Sequence, residues 1–459
     1  MLPDVALLEI FDFYVDRVWH DTWRPLVHVC RKWRNIVFGS PLRLSLQLRC
    51  RAGTPVRETL DVWPLLPIAV SGHGYKDWGV DNILAVLEHN DRIRELDLYH
   101  GPVISSWQLE KVLAAMQQPF PALTHLYLQS ETGEIAPVVP ASFLDGSALP
   151  LVSLWLKSIP FPGLPKLLLS ATHLVQLYLW SIPHSGYFSP ESMAICLSML
   201  TRLETLYIEF ESPQSRPDRR DRHQPPQIRT LPVLTALDFK GVCEYLEELV
   251  ARIDAPLLYN LRITFLHQLI LDTPQLSQFI SRTPNFKTPD EVHLEFSSGN
   301  AQVAISSPFV LRLGISSRHS DWQLLFLAQI CISCFPQAFI PAVERLYILD
   351  SKHLPAPLWQ DDIEGSQWLE LLHPFTAVKD LYISREFVTR IAPTLQELVG
   401  ERATEALPAL RTLFLKDALS SESGPVQEAI EQFITARQHC SHPITVSRWE
   451  RKGGAWQLY

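Results

Sequence analysis

Along most of the chain one short apolar pattern recurs, apolar-x-x-apolar-x-apolar, usually with leucine in the middle slot. It runs through Ile93-Arg-Glu-Leu96-Asp-Leu98, Leu123-Thr-His-Leu126-Tyr-Leu128, Leu151-Val-Ser-Leu154-Trp-Leu156 and Leu174-Val-Gln-Leu177-Tyr-Leu179. Further copies span Leu203 to Ile208, Leu234 to Phe239 and Leu258 to Ile263, then Val343 to Ile348, Val378 to Ile383 and Leu410 to Leu415. The first seven copies start 23 to 31 residues apart, which marks a structural repeat. The last two apolar positions of each copy alternate with period two, so the pattern predicts a short strand with one buried face. Segments with helical spacing lie between, such as Trp107, Leu109, Val112, Leu113 and Met116, or Met193, Ile195, Leu197 and Leu200. Prolines 119, 121, 150, 183 and 232 punctuate the joins. Between 264 and 342 the frame blurs, and Val292-His-Leu294-Glu-Phe296 is the one good copy.

One such unit buries five or six large side chains, worth ~1.5–3 kcal/mol each. Ordering its backbone costs ~1–2 kcal/mol per residue, so a lone unit does not fold. Stacked copies share a continuous core, with parallel strands on one side and helices on the other. The pattern resembles leucine-rich repeats, and the resemblance implies an α/β solenoid, a curved parallel sheet with outer helices. The family carries an asparagine three residues after the last strand apolar, where this chain has Gly101, Glu131, Ile159, Ile182, Glu211, Val242 and Leu266. The repeats are therefore an irregular version. An ordinary α/β domain with leucine-rich strands is the alternative.

The first forty-odd residues differ. Asp4 is a candidate N-cap followed by Leu7, Leu8, Ile10, Phe11, Tyr14 and Val15 at helical spacing. A second helix is predicted from a cap at Asp21 or Thr22, with Pro25 in its first turn. It carries Leu26, Val29, Cys30, Trp33, Ile36 and Val37 on one stripe and stops at Gly39-Ser40-Pro41. Leu2-Pro3-Asp4, Leu7-Leu8-Glu9-Ile10-Phe11 and Leu26-Val27-x-Val29-Cys30-Arg31-x-Trp33-Arg34 together resemble an F-box, of the kind abundant in mushroom-forming fungi. The inter-helix stretch from Val15 to Thr22 is longer than the family's. The resemblance implies docking onto the Skp adaptor of a cullin-RING ubiquitin ligase. Carried over by motif, Leu2, Pro3, Leu8, Ile10 and Phe11 would face the adaptor, supported by Leu26, Val29 and Trp33. The bland alternative is that both helices only cap the first repeat. The predicted organisation is an F-box at 1–45, a connector and first cap at 46–91, and the solenoid at 92–459, with a polar, Pro-rich loop at 211–229.

In a stacked sheet the slot between the two strand apolars points to the face away from the helices. Those slots hold Asp97, Tyr127, Trp155, Tyr178, Tyr207, Asp238, Arg262, Tyr347, Tyr382 and Phe414, with Trp180 beside them. Aromatic residues on an open face are favoured binding anchors, so Tyr127, Trp155, Tyr178, Trp180, Tyr207, Tyr347 and Tyr382 are the candidate target-binding set. They equally stabilise a sheet by packing side by side, and the apolar tail from Trp449 with Trp456 and Leu458 is a candidate cover.

Composition narrows the function. Forty Lys plus Arg stand against 49 Asp plus Glu, a net charge of −9, and the one basic cluster, in 211–229, is interleaved with Asp218 and Asp221. That argues against nucleic acid. The most apolar run, Leu324 to Phe335, falls short of the ~20 residues of a membrane span. Seven scattered cysteines, no secretory leader and no Asn-x-Ser/Thr acceptor point to the cytosol or nucleus. No catalytic constellation is expected, and no cofactor. Cys331-x-x-Cys334 lacks a second pair for zinc, Gly72-His73-Gly74 does not extend to a nucleotide fingerprint, His100 stands alone, and Asp361-Asp362-x-Glu364 reads as a hydrated loop. The expectation is a non-catalytic substrate receptor of an SCF-type ligase, with repeats that bind an unidentified target protein. The alternative is a leucine-rich-repeat scaffold unrelated to ubiquitin.

Overall fold

The structure is a computed structural model. It describes residues 3–17, 23–39, 46–62, 66–71, 78–98, 105–130, 136–217, 227–266, 270–306, 309–316, 322–350, 365–398, 402, 404–416, 424–452 and 455–458. The chain forms two compact units, Met1–Glu211 and Ser212–Tyr459. The predicted boundaries at 45 and 91 are not where the packing divides; the division falls at the start of the polar segment, whose centre, 218–226, lies outside the described residues.

The first unit opens with three helices, α1 (Asp4–Arg17), α2 (Trp23–Val29) and α3 (Arg31–Gly39). The single second helix expected from the sequence is thus two. Cys30 breaks it and caps the third helix, its sulfur accepting the Trp33 N–H at 3.4 Å and its carbonyl the Arg34 N–H at 3.0 Å. Arg34 Nε donates to the Val27 carbonyl at 3.0 Å, which satisfies the end of α2.

Seven strands follow in chain order, β1 (Leu46–Leu48), β2 (Ile68–Ser71), β3 (Ile93–Asp97), β4 (His125–Gln129), β5 (Ser153–Lys157), β6 (Gln176–Ile182) and β7 (Thr205–Phe210). Each pairs parallel with the next. The ladder therefore begins at β1, within the stretch expected to be a connector. Between strands stand α4 (Val56–Val62), α5 (Val80–Leu87), α6 (Ser106–Ala115), α7 (Leu164–Leu168) and α8 (Pro190–Leu197). Leu96, Leu126, Leu154, Leu177 and Leu206 form one register row, all fully buried. The opening residue of each copy, Leu123, Leu151, Leu174 and Leu203 among them, turns in from the loop as expected. On the helices, Leu109, Val112, Leu113, Met193 and Leu197 are buried, but Trp107 and Ile195 face solvent, and Lys111 Nζ sits 4.9 Å over the Trp107 ring. The ladder continues at the strand ends, where the N–H groups of Leu98, Ser130 and Ser158 donate to the carbonyls of Tyr127, Lys157 and Trp180 on the next strand.

The second unit holds β8 (Arg229–Thr230), β9 (Ala236–Gly241), α9 (Cys243–Val250), β10 (Ile253–Asp254), β11 (Asn260–Leu266), α10 (Pro274–Arg282), β12 (Glu291–Phe296), β13 (Asn300–Ile305), β14 (Val310–Ser316) and α11 (Gln323–Ser333). It continues with β15 (Arg345–Asp350), α12 (Gly365–Leu372), β16 (Asp380–Ile383), α13 (Arg385–Gln396), β17 (Thr412–Leu415), α14 (Pro425–His439), β18 (Thr445–Lys452) and β19 (Ala455–Leu458). The short pair β8 and β10 is separate. In the main sheet β9 pairs with β11, and β11 with β14, both parallel. Antiparallel β13 then joins β14 to β12, and parallel pairing resumes through β15, β16, β17 and β18.

The blurred frame between 264 and 342 is this two-hairpin insertion. A two-residue turn, Ser298-Gly299, starts it, with the Ser297 N–H bonded to the Asn300 carbonyl at 2.8 Å. Gly314 on β14 makes room for β13, since a Cβ there would lie 2.7 Å from the Ala301 carbonyl oxygen. The apolar run from Leu324 is α11, a buried core helix.

Glu247 on α9 is buried, and its carboxylate accepts the Gln275 and Leu276 N–H groups at 2.8 Å each, capping α10. Burial pushes its pKa up to about 7, against those two bonds, which lower it. The folded state thus holds a proton that the unfolded chain has released above its ordinary carboxylate range. Stability should fall as pH rises from ~4.5 through 7, by at most ~3 kcal/mol, and level off above. Urea midpoints at pH 5 and pH 8 check this: wild type should lose more across that interval than Glu247→Gln, and equal losses would refute it.

Candidate functional site

In the N-terminal helices the F-box-like residues divide between inside and outside. Phe11, 3% exposed, and Leu26 lie in the core of the first unit, with Leu7, Val27 and Val37. The Phe11 ring packs on Trp33 at 4.8 Å between centroids, and Trp33 and Leu8 are half-buried. Ile10, 47% exposed, and Val29, 58% exposed, face solvent with Val5 and Pro3. Phe11, expected to face an adaptor, is instead buried, whereas Leu26, expected only to support that contact, lies beneath the surface. A three-helix cap this small needs its largest rings for itself. Because α1 is apolar on both sides, filling that core still leaves Val5 and Ile10 outside. Leu2 lies outside the described residues.

On the first unit's sheet, the face away from the helices carries one continuous stack of rings. Tyr127 meets Trp155 edge-on at 5.5 Å, Trp155 meets Tyr178 at 4.0 Å, and Tyr178 lies 6.1 Å from Tyr207. Trp180 stacks on Tyr207 at 3.9 Å. All five rings are half-buried. Strand register puts Asp97, Tyr127, Trp155, Tyr178 and Tyr207 in one row, which brings together four of the candidates, and Trp180, two residues further along β6, joins them by stacking on Tyr207. Carboxylates stand at both ends. Tyr207 Oη donates to Glu209 Oε2 at 2.8 Å, and burial, with Glu95 and Asp97 nearby, raises the Tyr127 phenol. The Trp180 indole N–H is shielded from solvent and has no acceptor among the described residues. Rings packed this way stabilise the sheet and also present a rigid aromatic surface.

In the second unit the slots of Tyr347 and Tyr382 are closed. Tyr347 and Tyr382 stack at 4.3 Å, Tyr382 and Phe414 at 4.3 Å, and His293 lies 4.6 Å from Tyr347. Beyond Arg448, β18 leaves β17 and pairs antiparallel with β19. Trp449 then lies across the stack, edge-on to Tyr382 at 5.7 Å, with its indole N–H to the Ile383 carbonyl at 3.4 Å. Tyr347 and Tyr382 are left 4% and 7% exposed. These two are therefore not target-binding residues in this conformation. The chain's own tail occupies their surface, and Trp449 is the member of that tail that does so; the side chains of Trp456 and Leu458 lie outside the described residues.

Cys331 and Cys334 are buried in and just after α11, and burial pushes the Cys334 thiol up to about 12. Thr273 Oγ1 donates to the Cys334 sulfur at 3.2 Å. All seven cysteines are free thiols, and no group of three metal-ligating side chains occurs among the described residues. Gly72 to Gly74, His100 and the cluster from Asp361 to Glu364 lie outside the described residues.

No family model matches the chain, and no curated protein sequence matches it. Among solved structures it is similar to the leucine-rich repeat-containing protein LegL7 from Legionella pneumophila. The identity is 13% over 85% of this chain and 97% of that one, with a TM-score of 0.28. The α/β architecture, parallel strands backed by helices, rests on the pairings described above.

Replacing Trp449 with Ala should cost the second unit ~3–5 kcal/mol and uncover Tyr347 and Tyr382. Burial raises both phenols, so their release should bring them back towards pH 10. An alkaline absorbance titration checks this: the variant should ionise more tyrosine near pH 10 than wild type, and superimposed curves would show that Trp449 is not the cover.

Proposed function

We propose that the chain is a non-catalytic substrate receptor of an SCF-type ubiquitin ligase, working in the cytosol or nucleus. The F-box-like helices α1, α2 and α3 dock the Skp adaptor, and the repeat sheet holds a target protein. The observation that carries the reading is the solvent-facing set Val5, Ile10 and Val29 on helices where Leu7, Phe11, Leu26, Val27 and Val37 are buried. Ile10 and Val29 stand at positions matching the F-box motif, and apolar residues left facing water suit a partner's groove. Leu8 and Trp33, half-buried, border that set; Phe11 and Leu26 support it from beneath.

The target side of the proposal is the half-exposed ring stack of Tyr127, Trp155, Tyr178, Trp180 and Tyr207. Such a receptor accelerates ubiquitin transfer by proximity, raising the effective concentration of target lysines near a conjugating enzyme held elsewhere in the complex. No side chain of this chain needs to take part in bond making. The burial of Phe11 and Leu26 favours a second reading, a protein-interaction scaffold in which the helices are only a cap.

Co-expression with the Skp adaptor separates the two. Wild type should co-elute with the adaptor as a 1:1 species on gel filtration. Ile10→Asp with Val29→Asp should abolish co-elution while leaving the melting profile unchanged, because both side chains already face water. If wild type ignores the adaptor, the scaffold reading replaces this one.

A further inference from the structure

On the sheet of the second unit, away from the helices, Arg262 on β11 stands directly beside Arg312 on β14 in register. Their strand neighbours Leu261, Ile263, Leu311 and Leu313 are buried on the helix side, so both arginines share the opposite face. Like charges directly opposite on adjacent strands are unfavourable. The row continues to Asp238 on the Arg262 side and to Ala304 on the Arg312 side, so Arg262 has one carboxylate-bearing neighbour in register and Arg312 has none. Neither arginine has an ion-pair partner among the described residues, and the Arg312 Nε is shielded from water without a hydrogen-bond acceptor. A shielded guanidinium N–H without an acceptor is rare in folded proteins and calls for one.

The adjoining row holds a hollow of about 320 Å³. Lys240, Thr264 and Gln302 line it in register with Gly314. Lys240 stands one strand from Thr264, so an ammonium, a hydroxyl and an amide border the same space beside the two guanidiniums. Asp238 flanks the arginines on β9, and Glu295, bonded to Gln302 Nε2 at 2.6 Å, closes the far side.

We propose that this face binds an acidic segment of a protein partner, with aspartate or glutamate carboxylates received by Arg262 and Arg312 and a neighbouring polar side chain seated in the hollow. The planar fork of a guanidinium matches a carboxylate in geometry as well as charge. The occupant is a short acidic stretch rather than a polyanion. Asp238 and Glu295 bound the positive patch to one or two anionic groups, too few for a phosphate backbone to track. The inference rests on the receptor reading only for the identity of the complex it serves, since the patch lies far along the chain from α1 to α3.

The experiment uses the full-length protein and fluorescence anisotropy with three labelled Gly/Ser peptides, bearing glutamates, glutamines or phosphoserines. The glutamate peptide should bind at low salt and be displaced at high salt, and the glutamine peptide should not bind. Arg262→Gln with Arg312→Gln should weaken binding about tenfold or more. Asp238→Asn, which removes the flanking carboxylate, should tighten it, and this variant decides the matter if the double variant fails to fold. The proposal falls if the glutamate and glutamine peptides behave alike, if only the phosphoserine peptide binds, or if neither arginine nor Asp238 replacement changes the affinity. Adaptor co-elution of the same variants reads the N-terminal helices alone, so failure there and failure here are distinct results.

Discussion

Each repeat of this protein is held by a core it does not own. Leu126 of β4 is buried only because Leu96 stands beside it on one strand and Leu154 on the other, with helices closing the outside. A strand of four to seven residues cannot repay its own backbone entropy; a row of them, in register, can. Everything else in the sheet is arranged around keeping that row continuous. Even the two-hairpin insertion obeys it: Leu313 on β14, Val303 on β13 and Leu294 on β12 follow one another in register, though β13 runs in the opposite sense.

The opposite face is released from that demand, and there the two units diverge. Both place aromatic residues in corresponding slots, and in both the rings stack across strands. In the first unit the stack remains half-open and is bordered by carboxylates. In the second, Trp449 turns back over Tyr347 and Tyr382, and the surface becomes a small second core that also takes in Leu349. A tyrosine slot is therefore neither a binding residue nor a packing residue by itself. What lies over it settles the matter. The arginines of β11 and β14 occupy the same kind of slot with the opposite character, charged and lacking a partner, and it is this local imbalance that distinguishes them from Tyr382 or Phe414.

The N-terminal helices show the same division at smaller scale. Ile10 and Phe11 look interchangeable as apolar positions, yet Phe11 lies against Trp33 inside while Ile10, one residue earlier, faces water. On a helix adjacent positions lie 100° apart, so an apolar run wider than one face must leave part of itself outside. That geometry is what makes α1 a surface as well as a cap.

Most of the strand ladder was legible in the sequence, because burial at alternate positions leaves a period-two signature wherever a core must be shared. The inward leucines, the turn-in residue before each strand and the helix faces at Leu109, Val112, Met193 and Leu197 all follow from that rule. Three kinds of feature did not. The break at Cys30 depends on a sulfur and a carbonyl acting as a cap, which apolar spacing does not register. The swapped order of β12, β13 and β14 depends on which strand edges find each other across long connections; the Ser298-Gly299 turn and the Val310, Arg312, Gly314 alternation carried a signal, but one too short to be read without its partners. The fate of each outward slot, open at Trp155, covered at Tyr382, unpaired at Arg312, was decided only by tertiary structure. Burial on the shared side is imposed by the chain's own periodicity, whereas exposure on the other side depends on segments distant in sequence, and periodicity carries no record of where those segments come to rest.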